Sequence, residues 1–207
     1  MRKQYECSIN IKLKLSILAL ILTNIALISG KTFKEYLEEN KSVLKSNRGI
    51  INLVNKELDD IIDIESALVK IDGKIQPITQ IEGLCLFLGN NNLISLPESF
   101  GQLNNLRQLN LDDNRLTTLP ESFGQLNNLS ALSLNNNKLT ALPESFVQIN
   151  TLETLFLNNN RLATLPESFS QLSKLDKLNL NNNNLTILPE SFGLLSNLRQ
   201  LNLDNNK

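Results

Sequence analysis

The sequence predicts an α/β solenoid, an arc in which short parallel strands alternate with short helices or 3₁₀ turns. The string Leu-Pro-Glu-Ser-Phe occurs five times at a fixed spacing of 23 residues. The whole unit around each copy also repeats, with leucines at fixed places. A period in the twenties is typical of a solenoid, because each unit can bury its apolar face only against its neighbours. The five copies start at Leu96, Leu119, Leu142, Leu165 and Leu188.

One half of each unit predicts a strand. Leu109 and Leu111 alternate with polar residues, which is the period-2 pattern of a half-buried strand. Because an equivalent strand recurs in every unit, the strands are expected to form one parallel sheet on the concave side of the arc. The side chains that alternate with the leucines face away from the core, so the functional surface is expected there.

The other half of each unit predicts the convex side of the arc. Pro120 fixes its own backbone and favours an extended conformation at Leu119. Residues 121–126 then suit a short helix or 3₁₀ turn, in which Phe123 and Leu126 are three positions apart and face inward. The recurring phenylalanines are therefore expected in the core and not in a binding site.

A polar residue also recurs among the leucines at one turn position. A buried amide needs hydrogen-bond partners, so this Asn is expected to bond to neighbouring backbone inside the solenoid. Its alternative role, as a row of ligand-binding side chains, is the weaker interpretation. The recurring residues are Asn91, Asn114, Asn137, Asn160, Asn183 and Asn206.

Together these positions form the pattern LxxLxLxxNxLxxLPESFxxLxx, which resembles the leucine-rich repeat family. The likeness is closest to the 23-residue units of bacterial and Ras-suppressor-type members, and it covers about residues 81–207. This region contains five repeats and a truncated sixth. The resemblance implies a non-catalytic protein–protein interaction module or scaffold that binds a protein partner on its concave face.

Composition argues against several other functions. The net charge is −1 and no basic run follows the first fourteen residues, so binding to nucleic acid is not expected. Histidine is absent, which removes the commonest general base and metal ligand. Cys7 and Cys85 form no CxxC pair, and neither a GxxxxGK[ST] nor a GxGxxG loop is present. We therefore expect no catalysis, no cofactor and no metal.

The first thirty residues differ from the rest of the chain. Four basic residues lie within the first fourteen positions, an apolar stretch covers residues 15–28, and Ser29-Gly30 follow. This order is typical of a secretory signal peptide and predicts export or a place in the cell envelope. The stretch is shorter than the about 20 residues of a membrane-spanning helix. Two alternatives stay open. One is an uncleaved membrane anchor, which would be the only predicted contact with a membrane, and the other is a cytoplasmic N-terminal helix.

Residues 31–80 are predicted to be helical. Two runs of apolar residues follow helical spacing, and Thr32 suits the start of the first. The predicted role is a cap over the open apolar end of the solenoid, and a separate helical interaction module is the alternative. The runs consist of Phe33, Tyr36, Leu37 and Leu44, and of Ile50, Val54, Leu58, Ile61, Ile62 and Leu68.

The outward strand positions give the predicted partner-binding residues. Among them Phe156 is an aromatic side chain amid polar neighbours, as expected of a binding hot spot, although an ordinary exposed Phe has the same pattern. The same register also places Cys85, Phe87 and Gly89 outward. The predicted site consists of Gln108, Asn110, Asp112, Ser133, Asn135, Thr154, Phe156, Asn158, Lys177, Asn179 and Asn181.

Two further functions and one further contact stay open. The amide-rich face also suits a cell-envelope protein that binds glycan or adhesive polymer, although aromatic residues for stacking on sugars are few. The repeats are alternatively the recognition part of a longer multidomain protein. The sixth unit stops at Lys207 without its Leu-Pro-Glu-Ser-Phe half, so an uncovered end is expected. This end predicts either a longer array or self-association.

Overall fold

The computed structural model describes residues 50–52, 68–71 and 74–207. The predicted signal peptide over residues 1–30 lies outside the described residues. The same is true of residues 31–49 and 53–67 of the predicted helical cap. Within the repeats, we number the units in chain order as residues 83–105, 106–128, 129–151, 152–174 and 175–197, and the sixth starts at residue 198.

Most described strands belong to one parallel sheet, with one strand from each unit. The order in the sheet is β1-β4-β5-β6-β7-β8-β9, so successive units lie side by side. A separate pair, β2 and β3, is antiparallel. The strands are β1 (Ile50–Asn52), β2 (Leu68–Ile71), β3 (Lys74–Pro77), β4 (Leu84–Phe87), β5 (Leu106–Asn110), β6 (Ala131–Ser133), β7 (Thr154–Phe156), β8 (Lys177–Asn179) and β9 (Gln200–Asn202).

The predicted convex turns are 3₁₀ helices. Pro97, Pro120 and Pro143 directly precede three of them with extended backbone, as their restricted φ predicts. The parallel sheet and these turns confirm the predicted solenoid. The 3₁₀ helices are Ile78–Gln80, Glu98–Gln102, Glu121–Gln125, Glu144–Gln148, Phe169–Gln171 and Glu190–Leu194.

The described parts of residues 31–80 correct the helical prediction. Ile50 and Leu68, which were assigned to one helical run, begin strands β1 and β2. These strands are rich in Ile and Val, whose branched side chains favour extended backbone. Asp72-Gly73 separates β2 from β3 in the sequence, and this dipeptide strongly favours a two-residue hairpin loop. Strand β1 pairs in parallel with β4, so it covers the edge of the first repeat strand.

The core contains the repeated leucines and phenylalanines. Phe100, Phe123, Phe146 and Phe169 are fully buried, as predicted for the convex column. Rings of successive units stack with centroids 6.2 Å apart for Phe100–Phe123 and 6.1 Å apart for Phe123–Phe146. The apolar column therefore continues from unit to unit, which is how units too small to fold alone acquire a common core.

The convex stack changes between the third and fourth units. A Cβ added to Gly101 or Gly124 would collide with the backbone of the next unit, so close packing there needs glycine. Val147 occupies this position in the third unit and is buried. The following turn is correspondingly shorter, Phe169–Gln171. Among the described residues, Phe146 and Phe169 form no stacked pair, although Phe169 and Phe192 stack again at 6.0 Å.

Candidate functional site

We use the term open face for the side of the sheet opposite the leucine core. Across neighbouring strands, Gln108 aligns with Ala131, Thr154 and Lys177, and Asn110 aligns with Ser133, Phe156 and Asn179. The leucine between these two rows is buried in every one of these strands. The structure therefore brings the predicted strand residues together on one face. The third predicted row, which follows the strands, is Asp112, Asn135, Asn158 and Asn181.

The first unit departs from the predicted register of outward side chains. Phe87 is half-buried on the open face, as expected. Cys85, between Ile50 of β1 and Gln108 of β5, is instead fully buried. Gly89 is also buried, because the Asn110 side chain lies against it: a Cβ at residue 89 would be 2.6 Å from Asn110 Oδ1. The exposed part of the open face therefore begins at Phe87 and β5.

Asp112 is the centre of a hydrogen-bonded network on the open face. Its Oδ1 accepts from Ser133 Oγ at 2.6 Å and from the Asn135 backbone N–H at 2.7 Å. Its Oδ2 accepts from Asn110 Nδ2 at 2.9 Å. The Asn135 Nδ2 in turn donates to Ser133 Oγ at 2.9 Å. Three predicted site residues thus hold one carboxylate in a fixed orientation.

Burial raises the pKa of Asp112 above its usual range. Hydrogen bonds from Ser133, Asn135 and Asn110 oppose this change, and the neighbouring Asp113 carboxylate adds to it. Among the described residues, no Lys or Arg forms an ion pair with Asp112. The network therefore holds a partly buried negative charge that lacks a cationic partner, a condition that favours a positively charged ligand.

A shallow depression lies beside this network. Its enclosed volume is only about 30 Å³, and the rest of the space above it is open to solvent. Phe87 and Phe156 line it from β4 and β7, and Asn110 and Ser133 lie between them in the same row. Gln108 also lines the depression, and its Oε1 is buried without a hydrogen-bond partner. The depression thus has an aromatic ring at each end, and the unsatisfied Gln108 oxygen beside it is closed to solvent.

The recurring Asn of the turn is structural, as predicted. Asn137 is 7% exposed, and its Nδ2 donates to the carbonyls of Leu111 at 2.9 Å and Leu134 at 3.2 Å. Its Oδ1 accepts from the Leu116 N–H at 3.0 Å. Asn114, Asn160, Asn183 and Asn206 make the same bonds to their own unit and to the preceding one, so these amides are committed to the solenoid.

A second polar ladder, which the sequence interpretation missed, lies one residue earlier in each unit. Asn136 Nδ2 donates to Asp113 Oδ1 at 2.7 Å, and Asn159 Nδ2 donates to Asn136 Oδ1 at 2.6 Å. These residues have left-handed backbone, which Asn and Asp tolerate better than other non-glycine residues. The signal that could have revealed it is the doubled Asn of each turn, which only Asp113-Asn114 replaces with Asp-Asn. The left-handed residues, with φ of 55–58°, are Asn90, Asp113, Asn136, Asn159, Asn182 and Asn205.

Charged rows border the sheet on both sides. Arg115, Lys138 and Arg161 are exposed beside the turns. Glutamates of the Pro-containing segments are exposed on the convex side, where the Ser122 backbone N–H donates to Glu98 Oε2 at 3.0 Å. This bond lowers the pKa of Glu98, with a smaller lowering from the Ser122 side chain. Both rows are solvated, so they are suited to orienting a charged partner more than to tight binding.

The described residues contain neither a candidate metal site nor a candidate membrane-spanning helix. Over residues 50–52, 68–71 and 74–207, no group of three His, Cys, Asp or Glu side chains is placed to hold a metal ion. In the same part of the chain, no helix is long and apolar enough to cross a bilayer.

The fold and the open face together define a solenoid of 23-residue units with a parallel sheet and a repeated asparagine turn. Residues 112–207 belong to the leucine-rich repeat family. The family described as leucine rich repeat matches residues 112–162 and 163–207. No curated protein matches the chain.

Solved structures of three repeat proteins are similar to this chain. A leucine-rich repeat protein of Leptospira interrogans is 40% identical over 63% of this chain and 39% of its own, with a TM-score of 0.48. The plant peptide hormone receptor RGFR1 in complex with RGF2 is 31% identical over 63% of this chain and 22% of its own, with a TM-score of 0.56. A chain of the Drosophila Toll–Spatzle complex is 33% identical over 62% of this chain and 18% of its own, with a TM-score of 0.56. The chain thus spans 39% or less of their length.

Proposed function

We propose that this chain is a non-catalytic recognition module that binds a protein partner on its open face. The single observation that supports this most is Phe156, a half-buried aromatic residue in the middle of a polar row, with Ser133 and Asn179 as its neighbours in the sheet. An aromatic anchor among polar residues is typical of binding hot spots. Two of the similar structures are a peptide hormone receptor with its peptide and the complex of Toll with Spatzle.

The size of the open face limits how a partner binds. Six repeat strands about 4.8 Å apart span about 24 Å, and a strand of about five residues gives about 17 Å of width. The resulting area of about 400 Å² is below the about 800 Å² that each partner of a standard interface buries. A stable complex would therefore also use the edge with Arg115, Lys138 and Arg161.

Export is the second part of the proposal. The basic, apolar and small-residue order of residues 1–30 supports a cleaved signal peptide, and the similar receptor structures are consistent with an exported module. N-terminal sequencing of the protein from its native host tests this. We expect a mature chain that begins near Lys31 with sixteen basic and twenty acidic residues. An intact Met1 in a cytosolic fraction would contradict export.

The glycan alternative is weakened by the bonds that the face amides make. Asn135 Oδ1 accepts from the Asn158 N–H at 3.1 Å, and Asn181 Oδ1 accepts from the Asp204 N–H at 2.7 Å. Amides that already bond to neighbouring backbone have fewer acceptors for sugar hydroxyls. A role as the recognition part of a larger protein is compatible with the proposal, because such a part would use the same face.

The test compares partner capture by the full chain and by Phe156→Ala. We expect the variant to bind the captured protein about five- to thirtyfold more weakly, which corresponds to about 1–2 kcal/mol. Its melting temperature should stay close to that of the parent protein. Glu121→Gln, on the exposed convex side, is the matched control and should leave binding unchanged. If Phe156→Ala binds the same partner as tightly as the parent, the open face is not the binding surface.

A further inference from the structure

The edge of the array that follows the strands carries cations that are aligned from unit to unit. We use the term basic row for Arg115, Lys138 and Arg161, which come from three successive units. Backbone bonds fix their register: the Lys138 N–H donates to Leu116 O at 2.8 Å, and the Arg161 N–H donates to Leu139 O at 2.9 Å. Because these bonds link the units as the strands of a sheet are linked, successive positions of the row are about 4.8 Å apart.

The cations of the basic row have no carboxylate partners among the described residues. The ion pair in that part of the chain joins Arg199 and Asp176, which directly precede strands, whereas the basic row follows them. All three residues of the row are exposed. Like charges side by side on neighbouring strands repel each other, and an anion that spans several units relieves this repulsion. The row therefore favours a polyvalent anion over a single one.

The second polar ladder, which we call the outer ladder, follows the same edge. Asn136 lies two residues before Lys138 and Asn159 two residues before Arg161, and all four residues are exposed. Asn159 donates one N–H to Asn136 and accepts one bond from Asn182. A primary amide has a second N–H and a second lone pair. Each of these units therefore presents one cation and one amide that can still donate and accept.

This pair of groups indicates the chemistry of the ligand. Sugar hydroxyls both donate and accept hydrogen bonds, as the remaining valences of the amides require, and a carboxylate pairs with Lys or Arg. A sugar ring in a glycan chain is about as long as one strand spacing, so successive rings meet successive units. A single-stranded nucleic acid fits less well, because it stacks its bases on aromatic side chains and residues 113–119, 136–142 and 159–165 contain none.

We propose that the basic row and the outer ladder together bind a linear acidic polysaccharide, a glycan with carboxylates on its sugar rings. The carboxylates pair with the cations, and the ring hydroxyls bond to the adjacent ladder amides. Single contacts of this exposed kind are weak, but a chain that engages three units at once gains affinity because its contacts are linked. This activity goes beyond the proposed function, since both the ligand and the surface are different. A protein partner that extends over this edge would compete with the glycan.

The test titrates oligomers of mannuronate into the ¹⁵N-labelled full chain at about 50 mM salt, where exposed charges are less screened. We expect the tetramer to give saturable shifts of the Lys138 and Arg161 amides. The dimer should bind about tenfold or more weakly, because it is too short to engage three units. The matched control is the tetramer with all its carboxylates methyl-esterified, which keeps the same rings without the charge and should not bind.

Two double variants assign the contacts on the protein side. Lys138→Gln with Arg161→Gln removes two cations of the basic row and should weaken binding of the tetramer about tenfold or more. Arg107→Gln with Lys174→Gln is the matched control, because it changes the net charge equally at exposed positions outside the row. This control should bind as the parent chain does, and both double variants should keep the parent melting temperature.

Two further probes separate a glycan from other polyanions. Capped tetraglutamate has the charges without the hydroxyls, and a tetramer of thymidylate has phosphates in their place. Both should bind about fivefold or more weakly than the mannuronate tetramer, because they lose hydrogen bonds to the ladder. Equal or tighter binding of either probe would overturn the assignment to a glycan. The absence of saturable shifts, shifts confined to Ser133 and Thr154 of the open face, binding of the esterified tetramer, or equal losses in the two double variants would overturn the site itself.

Discussion

At the scale of single residues, the buried asparagine of the turn links its repeat unit to the one before it. Its side-chain amide makes hydrogen bonds to backbone N–H and C=O groups that are buried in the apolar core and cannot reach water. The sequence predicted this role from the recurrence of one polar residue among leucines. It did not reveal that Asn110 covers Gly89, because contacts between units depend on side-chain directions that periodicity alone does not define.

Asn137→Ala should destabilise the protein by about 1–3 kcal/mol, because the change leaves the buried Leu116 N–H without its partner. It also removes one of the two amide donors at the Leu111 and Leu134 carbonyls, which keep those of Asn114 and Asn160. Urea unfolding measures the free energy. Lys138→Ala, the exposed neighbour, is the control and should change it by less than about 0.5 kcal/mol. Equal effects of the two changes would mean that the amide is not a structural link.

Phe146→Ala should cost about 3–5 kcal/mol of unfolding free energy, because it removes a fully buried ring from the convex stack. Phe156→Ala, on the open face, should cost much less. Thermal unfolding of both variants measures the difference. The same loss of melting temperature in both would show that the assignment of inward and outward positions is wrong.

Asp112 should make stability depend on pH. In the folded protein its pKa is raised above 3.8, the ordinary value for an Asp side chain in the unfolded chain. The folded state therefore retains the proton to higher pH than the unfolded state does. The stability contribution is therefore fully present below 3.8 and is lost as pH rises through the folded pKa. Asp112→Asn should gain stability relative to the parent as pH increases across this range. Urea unfolding in a pH series measures it, and a constant difference would contradict the raised pKa.

At the scale of elements, two of the convex turns depend on a glycine, Gly101 or Gly124, where one unit touches the next. The period was sufficient to predict the strands and turns of the repeats. The N-terminal part was harder, because Ile50, Val54 and Leu58 follow helical spacing although Ile50 belongs to a strand. Pairing with β4 is a long-range contact, and sequence periodicity contains no information about it.

Gly124→Val should destabilise the protein by about 1–3 kcal/mol, because its side chain would collide with the backbone at Ser145. Gly193→Val is the matched control, since an added Cβ there has nothing within 4 Å. Chemical denaturation of both variants measures the effect. A crystal structure of Gly124→Val should also show the Phe123–Phe146 rings separated beyond their present 6.1 Å. Equal stability of the two variants would contradict the role assigned to Val147.

At the scale of the whole molecule, the core and the open face of the repeat array differ in how strongly the repeat constrains their side chains. The leucines, phenylalanines and turn asparagines are committed to neighbouring units, and the open-face side chains vary between units. The family and the array were predictable for this reason. The depression was not predictable, because Phe87 and Phe156 are in units that are not adjacent, and only the register of four strands makes them line the same depression.

A further repeat unit next to β9, the last described strand, should stabilise the array. Gln200, Leu201 and Asn202 of β9 are all exposed, and Leu201 is 39% exposed. Appending a copy of residues 175–197 in register after a completed sixth unit should raise the melting temperature, because it covers Leu201 and pairs the edge of β9. If the parent chain self-associates through this edge, sedimentation should show less association after the addition. A control copy with Ser in place of its strand leucines should give neither effect, and a gain with that control would contradict this account.

The outer ladder also has a direction with consequences for how such an array grows. Asp113 accepts but cannot donate, and from there each Asn donates back to the unit before it, as Asn205 does to Asn182 at 2.7 Å. Tandem duplication of a unit beyond Asp113 reproduces a complete set of donors and acceptors. Duplication of the unit that contains Asp113 would instead place a carboxylate in the interior of the row and break it. Duplication of a repeat unit is therefore tolerated more easily on the C-terminal side of Asp113. The unit that contains Asp113 is restricted to a single copy at the start of the row.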